Sequence, residues 1–337
     1  MQWLPGRIRL MRKLKVAREY WNIRGSFRIS RGARSGAEVI LVSLIDGDAT
    51  GVGESVPYAR YGESLDSVTK QIEALRQAFQ EGRLDRIVLQ EALPPGAARN
   101  ALDCAFWDLE AKKSNRRAWD LAGLPPPHPL TTAYTLSLDT VGAMAANAAT
   151  NSDRPLLKLK LSGPEDLERV QAVRQAAPQA RLIVDANEGW TLDTYRLLAP
   201  QLAELGVLMV EQPLHADHDA PLVEEEHPLA VCADESCHDR RSLGKLVGRY
   251  DMVNIKLDKT GGLTEALAVK QEAQRLGLKI MVGCMLGTSL AMAPAMLLAQ
   301  GADIVDLDGP LLLAEDRRPS IHFERSLLHP PAPALWG

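Results

Sequence analysis

LLKLKL at 156–161, RLIVDAN at 181–187, VLMVEQP at 207–213, LAVCADES at 229–236 and DMVNIKL at 251–257 form a series of short apolar runs, each closing on polar residues. Runs of this length, rich in Val, Ile and Leu and separated by stretches of helical spacing, read as parallel strands covered on both faces. Working outward, TTAYTLSL at 131–138 precedes the series, and LKIMVGC at 278–284 and ADIVDLD at 302–308 follow it. Eight strands alternating with helices predict an α/β fold, a (β/α)8-type barrel occupying 125–308.

Ahead of the barrel the rhythm differs. AEVILVSL at 37–44 alternates like a strand, Asp46-Gly47 supplies a hairpin turn, and a second strand runs towards Gly51-Val52-Gly53-Glu54. Helical spacing follows at 64–81, through Leu65, Val68, Ile72, Leu75 and Phe79, and again at 97–112. These elements predict an α+β capping domain over 1–124, ended by the four prolines of LPPPHP at 124–129. Residues 309–337 are expected to return to that domain, with the final PPAPALWG as a loose tail.

Composition narrows the class. The 337 residues carry 39 Lys and Arg against 43 Asp and Glu, a formal net charge of -4, which excludes the basic footprint of a nucleic-acid or anionic-membrane protein. With 46% hydrophobic and 24% charged residues the chain is not disordered, and four Cys without framework spacing exclude a disulfide scaffold. The first 16 residues are basic, through Arg7, Arg9, Arg12, Lys13 and Lys15, but no apolar stretch of signal-peptide length follows. The alternating run Met11–Val16 reads as a first strand, which would make Met11 the natural start. The longest apolar run, near 291–299, contains Pro294 and is too short to span a bilayer, so it reads as a buried helix. The expected location is the cytoplasm.

Charged residues end successive strands: Lys158 and Lys160, Asp185, Glu211, Asp234, Lys256, then Asp306 and Asp308. The steps from Lys160 are 25, 26, 23 and 22 residues, each about one βα unit, so these side chains return to one mouth of the barrel. Any one of them could be the polar end of a strand or a helix cap; solvation does not explain the register. Asp185, Glu211 and Asp234 come from neighbouring strands, and three converging carboxylates repel unless a cation holds them. Hard oxygen donors without His or Cys point to Mg²⁺ or Mn²⁺. Lys160 and Lys256 flank these acids, which suits proton abstraction beside a metal-bound carboxylate: one amine removes the α-proton and the other returns one to the opposite face.

The stretches LKLK, DANEGW, EQP, ADES and NIKL, in this order and spacing, resemble the mandelate racemase and muconate lactonising branch of the enolase superfamily. The two lysine stations resemble its muconate lactonising subgroup, and the likeness covers nearly the whole chain. It implies an isomerase with Lys160 and Lys256 as the acid/base pair working through an enediolate, Asp185, Glu211 and Asp234 as metal ligands, and Lys158 as a holder of the substrate carboxylate. Oligomers are frequent in the superfamily; no residue here decides the state of this chain.

Asp306 and Asp308 stand at i and i+2 on the eighth strand and so face one way. A paired carboxylate suits a cationic group such as a dipeptide's α-ammonium, and this DxD resembles that of dipeptide epimerases. SFRISRGARSGAEV, PYARYGES, PPGAARNALDCAFWDL, VCADESCH and NIKLDKTGGLTEALA extend the likeness to epimerases of Ala–Glu dipeptides. The resemblance implies interconversion of L-Ala-D-Glu and L-Ala-L-Glu in reuse of cell-wall peptide, with Thr135 and Cys284 lining the pocket. Arg28, Arg31 and Arg34 precede the AEVILV strand, and a guanidinium there is the natural partner of a glutamyl side-chain carboxylate. An o-succinylbenzoate synthase, a cycloisomerase or an N-acylamino acid racemase would keep the lysines and acids; the first two have no use for the DxD pair. A silent barrel acting as an interaction protein is the alternative of another class. His215-Ala216-Asp217-His218 reads as a polar loop rather than a metal cluster, Lys259-Thr260-Gly261-Gly262 as a strand-to-helix turn rather than a phosphate loop, and Gly51-Val52-Gly53 is not a dinucleotide site.

Overall fold

The computed structural model describes residues 12–163 and 165–337; the proposed start at Met11 lies outside them. Three antiparallel strands open the chain, β1 (Lys13–Ile29), β2 (Gly32–Asp46) and β3 (Ala49–Ser55), followed by helices α1 (Leu65–Ala74), α2 (Arg76–Gln80), α3 (Arg86–Ala92), α4 (Ala97–Ser114) and α5 (Ala118–Leu121). The expected single helix over 64–81 is therefore two, and the expected strand at 37–44 is the middle of a longer one. β1 and β2 pair from Lys13↔Ile45 to Asn22↔Gly36, slip at a bulge, and pair again from Phe27↔Arg34 to Ile29↔Gly32. The bulge bends the hairpin, as extra residues on one strand do, and its far end carries the arginines.

α4 is buried on nearly every side because it lies between the sheet and the barrel. A Cβ on Gly51 would stand 2.2 Å from Ala105 O, and one on Gly53 2.2 Å from Ala101 O. The Gly51-Val52-Gly53 run is thus a helix-packing groove. On its other side α4 sends the Trp107 indole N–H to Thr264 Oγ1 (2.9 Å) and the Arg99 guanidinium to Thr260 O (2.7 Å).

A two-residue strand, β4 (Leu130–Thr131), leads into the eight parallel strands β5 (Tyr134–Leu136), β6 (Leu156–Lys160), β7 (Arg181–Asp185), β8 (Val207–Glu211), β9 (Ala230–Ala233), β10 (Met252–Ile255), β11 (Lys279–Gly283) and β12 (Ile304–Asp306), each paired with its neighbours in chain order. The circle is drawn together where Ala133 N donates to Val305 O (2.8 Å) and Leu307 N to Thr132 Oγ1 (2.8 Å). Between the strands run α6 (Val141–Thr150), α7 (Asp166–Ala176), α8 (Leu192–Glu204), α9 (Arg240–Leu243), α10 (Leu257–Thr260), α11 (Leu263–Arg275) and α12 (Ser289–Ala299). α12 is the buried helix expected near 291–299. No helix among the described residues is long and apolar enough to cross a membrane.

Inside the barrel, Ala133, Leu156, Ile183, Met209, Cys232, Met252, Met281 and Ile304 form an apolar cluster of their own, one residue from each strand or its entry. This plug is the floor of the cavity above it.

After α13 (Gly309–Leu312), the chain returns to the opening sheet: Ala314 N donates to Asn22 O (2.8 Å), and Arg317 pairs with Glu19 (2.6 Å) and Glu54 (2.8 Å). It then forms the hairpin β13 (Phe323–Glu324) and β14 (Leu327–Leu328), which pairs with β4. The last residues are not loose. Trp336 is buried, its indole N–H donating to Cys104 O (2.9 Å), and Gly337 N donates to Asp108 Oδ1 (2.8 Å). The prolines of the tail prevent regular structure without preventing docking.

Candidate active site

Side chains two apart on a strand share a face. Two residues beyond the plug, the strands therefore present Thr135, Lys158, Asp185, Glu211, Asp234, Asn254, Gly283 and Asp306, and two residues further Lys160, Asn187, Lys256 and Asp308. A polar tier stands on an apolar one, and the residues expected at the mouth all lie within it. A Cβ on Gly283 would collide with the Asn254 amide, 2.7 Å away, so that position is left to its neighbour. Above the tier opens a cavity of about 460 Å³, walled by Lys158, Lys160, Asp234, Lys256, Asp306 and Asp308 from the barrel and by Phe27, Arg31, Arg34 and Tyr58 from the opening domain. Thr135 and Cys284 line it as well.

The charges interlock. Lys160 Nζ donates to Asp185 Oδ2 (2.6 Å), and Lys256 Nζ to Asp234 Oδ2 (2.6 Å). Lys158 Nζ lies 2.6 Å from Glu211 Oε2, 2.7 Å from Asp306 Oδ2 and 3.2 Å from Asp185 Oδ2. Burial works against the Lys158 ammonium, but Asp306, Glu211 and Asp185 outweigh it and hold its pKa well above the ordinary lysine range. Lys256 is also raised: burial opposes it, and Asp234 and Glu211 prevail. Burial also pulls the Asp185 carboxyl upward, yet Lys160 and Lys158 carry it down to about 2; Glu211 is pushed up to about 7 by burial and then by the charge of Asp185.

The three acids are wholly buried. With ammonium groups between them, their oxygens do not close to within 4.8 Å as a triple. Their chemistry fits a hard divalent cation: all donors are carboxylate oxygens on neighbouring strands, and the positive charge now beside them comes from the lysine ammonium groups. Three buried polar atoms without hydrogen-bond partners belong to residues that line the cavity, Asn187 Oδ1, Glu235 Oε2 and Asp306 Oδ1.

The DxD pair is asymmetric. Asp306 is engaged by Lys158, while Asp308 Oδ2 accepts the Thr135 N–H (2.6 Å) and its carboxyl is pushed up to about 7, by burial first and then by Asp306. The arginines divide as well. Arg28 is exposed and does not line the cavity; its backbone ties the hairpin to the barrel, its N–H donating to Ser137 Oγ (2.7 Å). Arg31 is spent on Glu235 (2.7 Å), Tyr58 OH (3.1 Å) and Asn187 O (2.8 Å). Arg34 lies over the Tyr58 ring, 5.4 Å from its centroid, with its guanidinium on the cavity wall.

Four partners were not read from the strand pattern. Lys259 Nζ donates to Asp234 Oδ1 (2.6 Å) and Asn254 O (3.0 Å), and Asn254 Nδ2 donates to Glu211 Oε1 (2.7 Å). Glu235 holds Arg31, and Arg60 holds Glu188 through two 2.8 Å hydrogen bonds. Asn254 was legible as the position two before Lys256. Lys259 was not, because it sits in the short α10 rather than on a strand. His215 lies 3.5 Å from Arg60 at the rim and joins no metal cluster among the described residues.

Two family models divide the chain: the mandelate racemase / muconate lactonizing enzyme N-terminal domain matches residues 11–123 and the enolase C-terminal domain-like model 143–317. The chain is 48% identical over 321 residues to the L-Ala-D/L-Glu epimerase of Escherichia coli strain K12, covering 95% of this chain and all of that one. It is 45% identical over 302 residues to an N-acetyl-D-glutamate racemase of a Pseudoalteromonas species, covering 89% and 95%. A crystal structure of an enolase family member from Agrobacterium tumefaciens with homology to dipeptide epimerases, holding sodium and L-Ala-L-Glu, matches 97% of this chain and 100% of that one at 55% identity and a TM-score of 0.95. Sheet, barrel, charged tier and sequence agree, and the chain belongs to the mandelate racemase and muconate lactonizing enzyme family of the enolase superfamily.

Proposed function

We propose that the chain is a dipeptide epimerase interconverting L-Ala-D-Glu and L-Ala-L-Glu. The observation that carries this reading is the placement of Lys160 and Lys256 in one tier on either side of the buried acids, with the DxD pair completing the same wall. The glutamyl α-carbon lies between the two amines, so a proton leaving one face is replaced on the other. Lys160 and Lys256 stand on opposite sides of that carbon, and each removes or returns the proton according to which diastereomer is bound. Lys158 anchors the substrate carboxylate end of the site. Asp185, Glu211 and Asp234 hold Mg²⁺, which when bound supplies positive charge against the negative charge developing on that carboxylate.

The Ala ammonium rests on Asp308 and Asp306, where a cation would relieve the repulsion between the two carboxyls. Arg34 is the guanidinium for the glutamyl side chain, because Arg31 is occupied by Glu235 and Arg28 lies off the cavity. On this reading the division at 124/125 separates cap from barrel, and 309–337 reaches back to the cap through Ala314, Arg317 and Trp336 while its hairpin rests on β4. The enzyme, so read, serves reuse of cell-wall peptide in the cytoplasm.

The test is proton NMR of L-Ala-D-Glu in D₂O with the enzyme and Mg²⁺. Loss of the glutamyl α-proton signal together with growth of the L,L diastereomer is expected; an unchanged spectrum would sink the assignment. A second reading, racemisation of an N-acylated glutamate, is favoured by the 45% identity to the N-acetyl-D-glutamate racemase and by the neutralisation of Asp306 by Lys158. The same experiment with N-acetyl-D-glutamate ranks the two by kcat/KM.

A further inference from the structure

The C-terminal hairpin stands at the end of the barrel away from the cavity. Thr132 N donates to Ser326 O (2.8 Å) and Arg154 Nη1 to Ser326 Oγ (3.0 Å), and Arg154 lies just before the start of β6, whereas Lys160 ends that strand. The pairing of Phe323 with Leu328, continued by His329 N donating to His322 O (3.0 Å), sets His322 and His329 opposite one another. Glu324, two residues after His322, shares its face. The imidazoles pack with centroids 4.9 Å apart, and both Nε2 atoms lie 3.3 Å from the same oxygen, Glu324 Oε1. His329 Nε2 is buried without a hydrogen bond. One ligand atom from each of the three residues falls within 4.8 Å of the others, the only such triple of His, Cys, Asp and Glu among the described residues.

We propose that His322, Glu324 and His329 bind a divalent transition-metal ion of the zinc class, at a site separate from the carboxylates of the cavity. Two imidazoles and one carboxylate converging from one hairpin are a donor set for Zn²⁺, Co²⁺ or Ni²⁺, with water completing the coordination. Mg²⁺ prefers oxygen ligands and is a poor competitor there, so the two sites sort ions by donor chemistry. A bound ion ties both strands of the hairpin together next to β4, the strand that leads into the barrel.

Tag-free protein loaded with excess Mg²⁺ would be titrated with Zn²⁺ by calorimetry, wild type beside His322→Gln and Glu324→Gln. The wild type is expected to take one more equivalent than either variant, or to bind it at least about tenfold more tightly, and Zn²⁺ should raise the Tm of the wild type by more than that of either variant. Epimerase activity with Mg²⁺ should be equal in all three. His322 is largely exposed, 68% of its side chain, so its replacement leaves the fold intact. Zn²⁺ entering the cavity would appear equally in every protein. Identical isotherms and identical Tm shifts would overturn the proposal, leaving the triple as a contact between two imidazoles and a carboxylate.

Discussion

Lys259 Nζ donates to Asp234 Oδ1 at 2.6 Å, while Lys256 Nζ donates to Asp234 Oδ2 at the same distance. One carboxylate is thus held by two ammonium groups, one from the rim and one from α10, and its pKa falls well below the usual range although burial opposes this. Lys259 is buried and does not line the cavity, so its part is to position Asp234. Lys259→Met is expected to destabilise the protein by about 1.5–3 kcal/mol, since it removes a buried charge-assisted hydrogen bond to Asp234 while Lys256 still pairs with that carboxylate, and to raise the Mg²⁺ concentration needed for half-maximal activity. Urea unfolding and a Mg²⁺ titration of rate check both; unchanged Mg²⁺ dependence would mean that Lys259 serves the fold alone.

Asp308 should separate the two substrate readings. Asp308→Asn keeps the acceptor for the Thr135 N–H but removes the charge facing an ammonium. A charge-assisted hydrogen bond contributes about 1.5–3 kcal/mol, so kcat/KM for L-Ala-D-Glu should fall about 10- to 100-fold. Activity on N-acetyl-D-glutamate, which has no ammonium, should hold or rise. Equal losses on both substrates would remove Asp308 from ammonium recognition.

The two lysines should divide by face. Lys160→Met and Lys256→Met are each expected to lose about 10²–10⁴-fold in epimerisation, the range for a positioned acid or base. Each variant should retain α-proton exchange with D₂O for one diastereomer only, and the two should retain opposite ones. Exchange of both diastereomers by a single variant would mean that one lysine serves both faces.

The tail tests packing rather than chemistry. Trp336 is buried and Gly337 O accepts from Arg117 Nε (2.7 Å), so the last residues join α4 to the start of α5. Trp336→Ala should cost about 3–5 kcal/mol, as for a large aromatic lost from a core, with KM for the dipeptide nearly unchanged. A loss under about 1 kcal/mol in urea unfolding would restore the reading of a loose tail.

The barrel was legible because its strands are covered on both faces and announce themselves as apolar runs, and the tier was legible because charges interrupt those runs at a fixed βα spacing. Asp185, Glu211 and Lys256 needed nothing beyond that alternation. Trp336 was hidden because prolines mark the absence of regular structure, not of burial. Lys259 was hidden because a lysine in a short helix looks like any surface lysine until the fold turns it onto Asp234. The tip arginines were legible as a group and not singly, since Glu235, which occupies Arg31, comes from the far side of the barrel.

One pH effect lies outside the cavity. His227 Nδ1 lies 2.8 Å from Asp251 Oδ2, and Asp251 also accepts the Val231 N–H (2.8 Å), so the pair fastens the loop before β9. The hydrogen bond to Asp251 raises the imidazole pKa against the opposing effect of burial, while Asp251 is lowered by His227 and the Val231 N–H although burial opposes them. A raised folded-state pKa places the contribution of His227 fully below its unfolded value of about 6.5, and it is lost as pH rises through the folded value. The Asp251 side is lost as pH falls below the ordinary aspartate range. His227→Gln should therefore cost about 1 kcal/mol at pH 5.5, after allowance for solvent screening of a partly exposed pair, and markedly less at pH 8.5. Urea unfolding of both proteins at the two pH values measures the difference, and a cost that is constant or larger at pH 8.5 would refute the charged pairing.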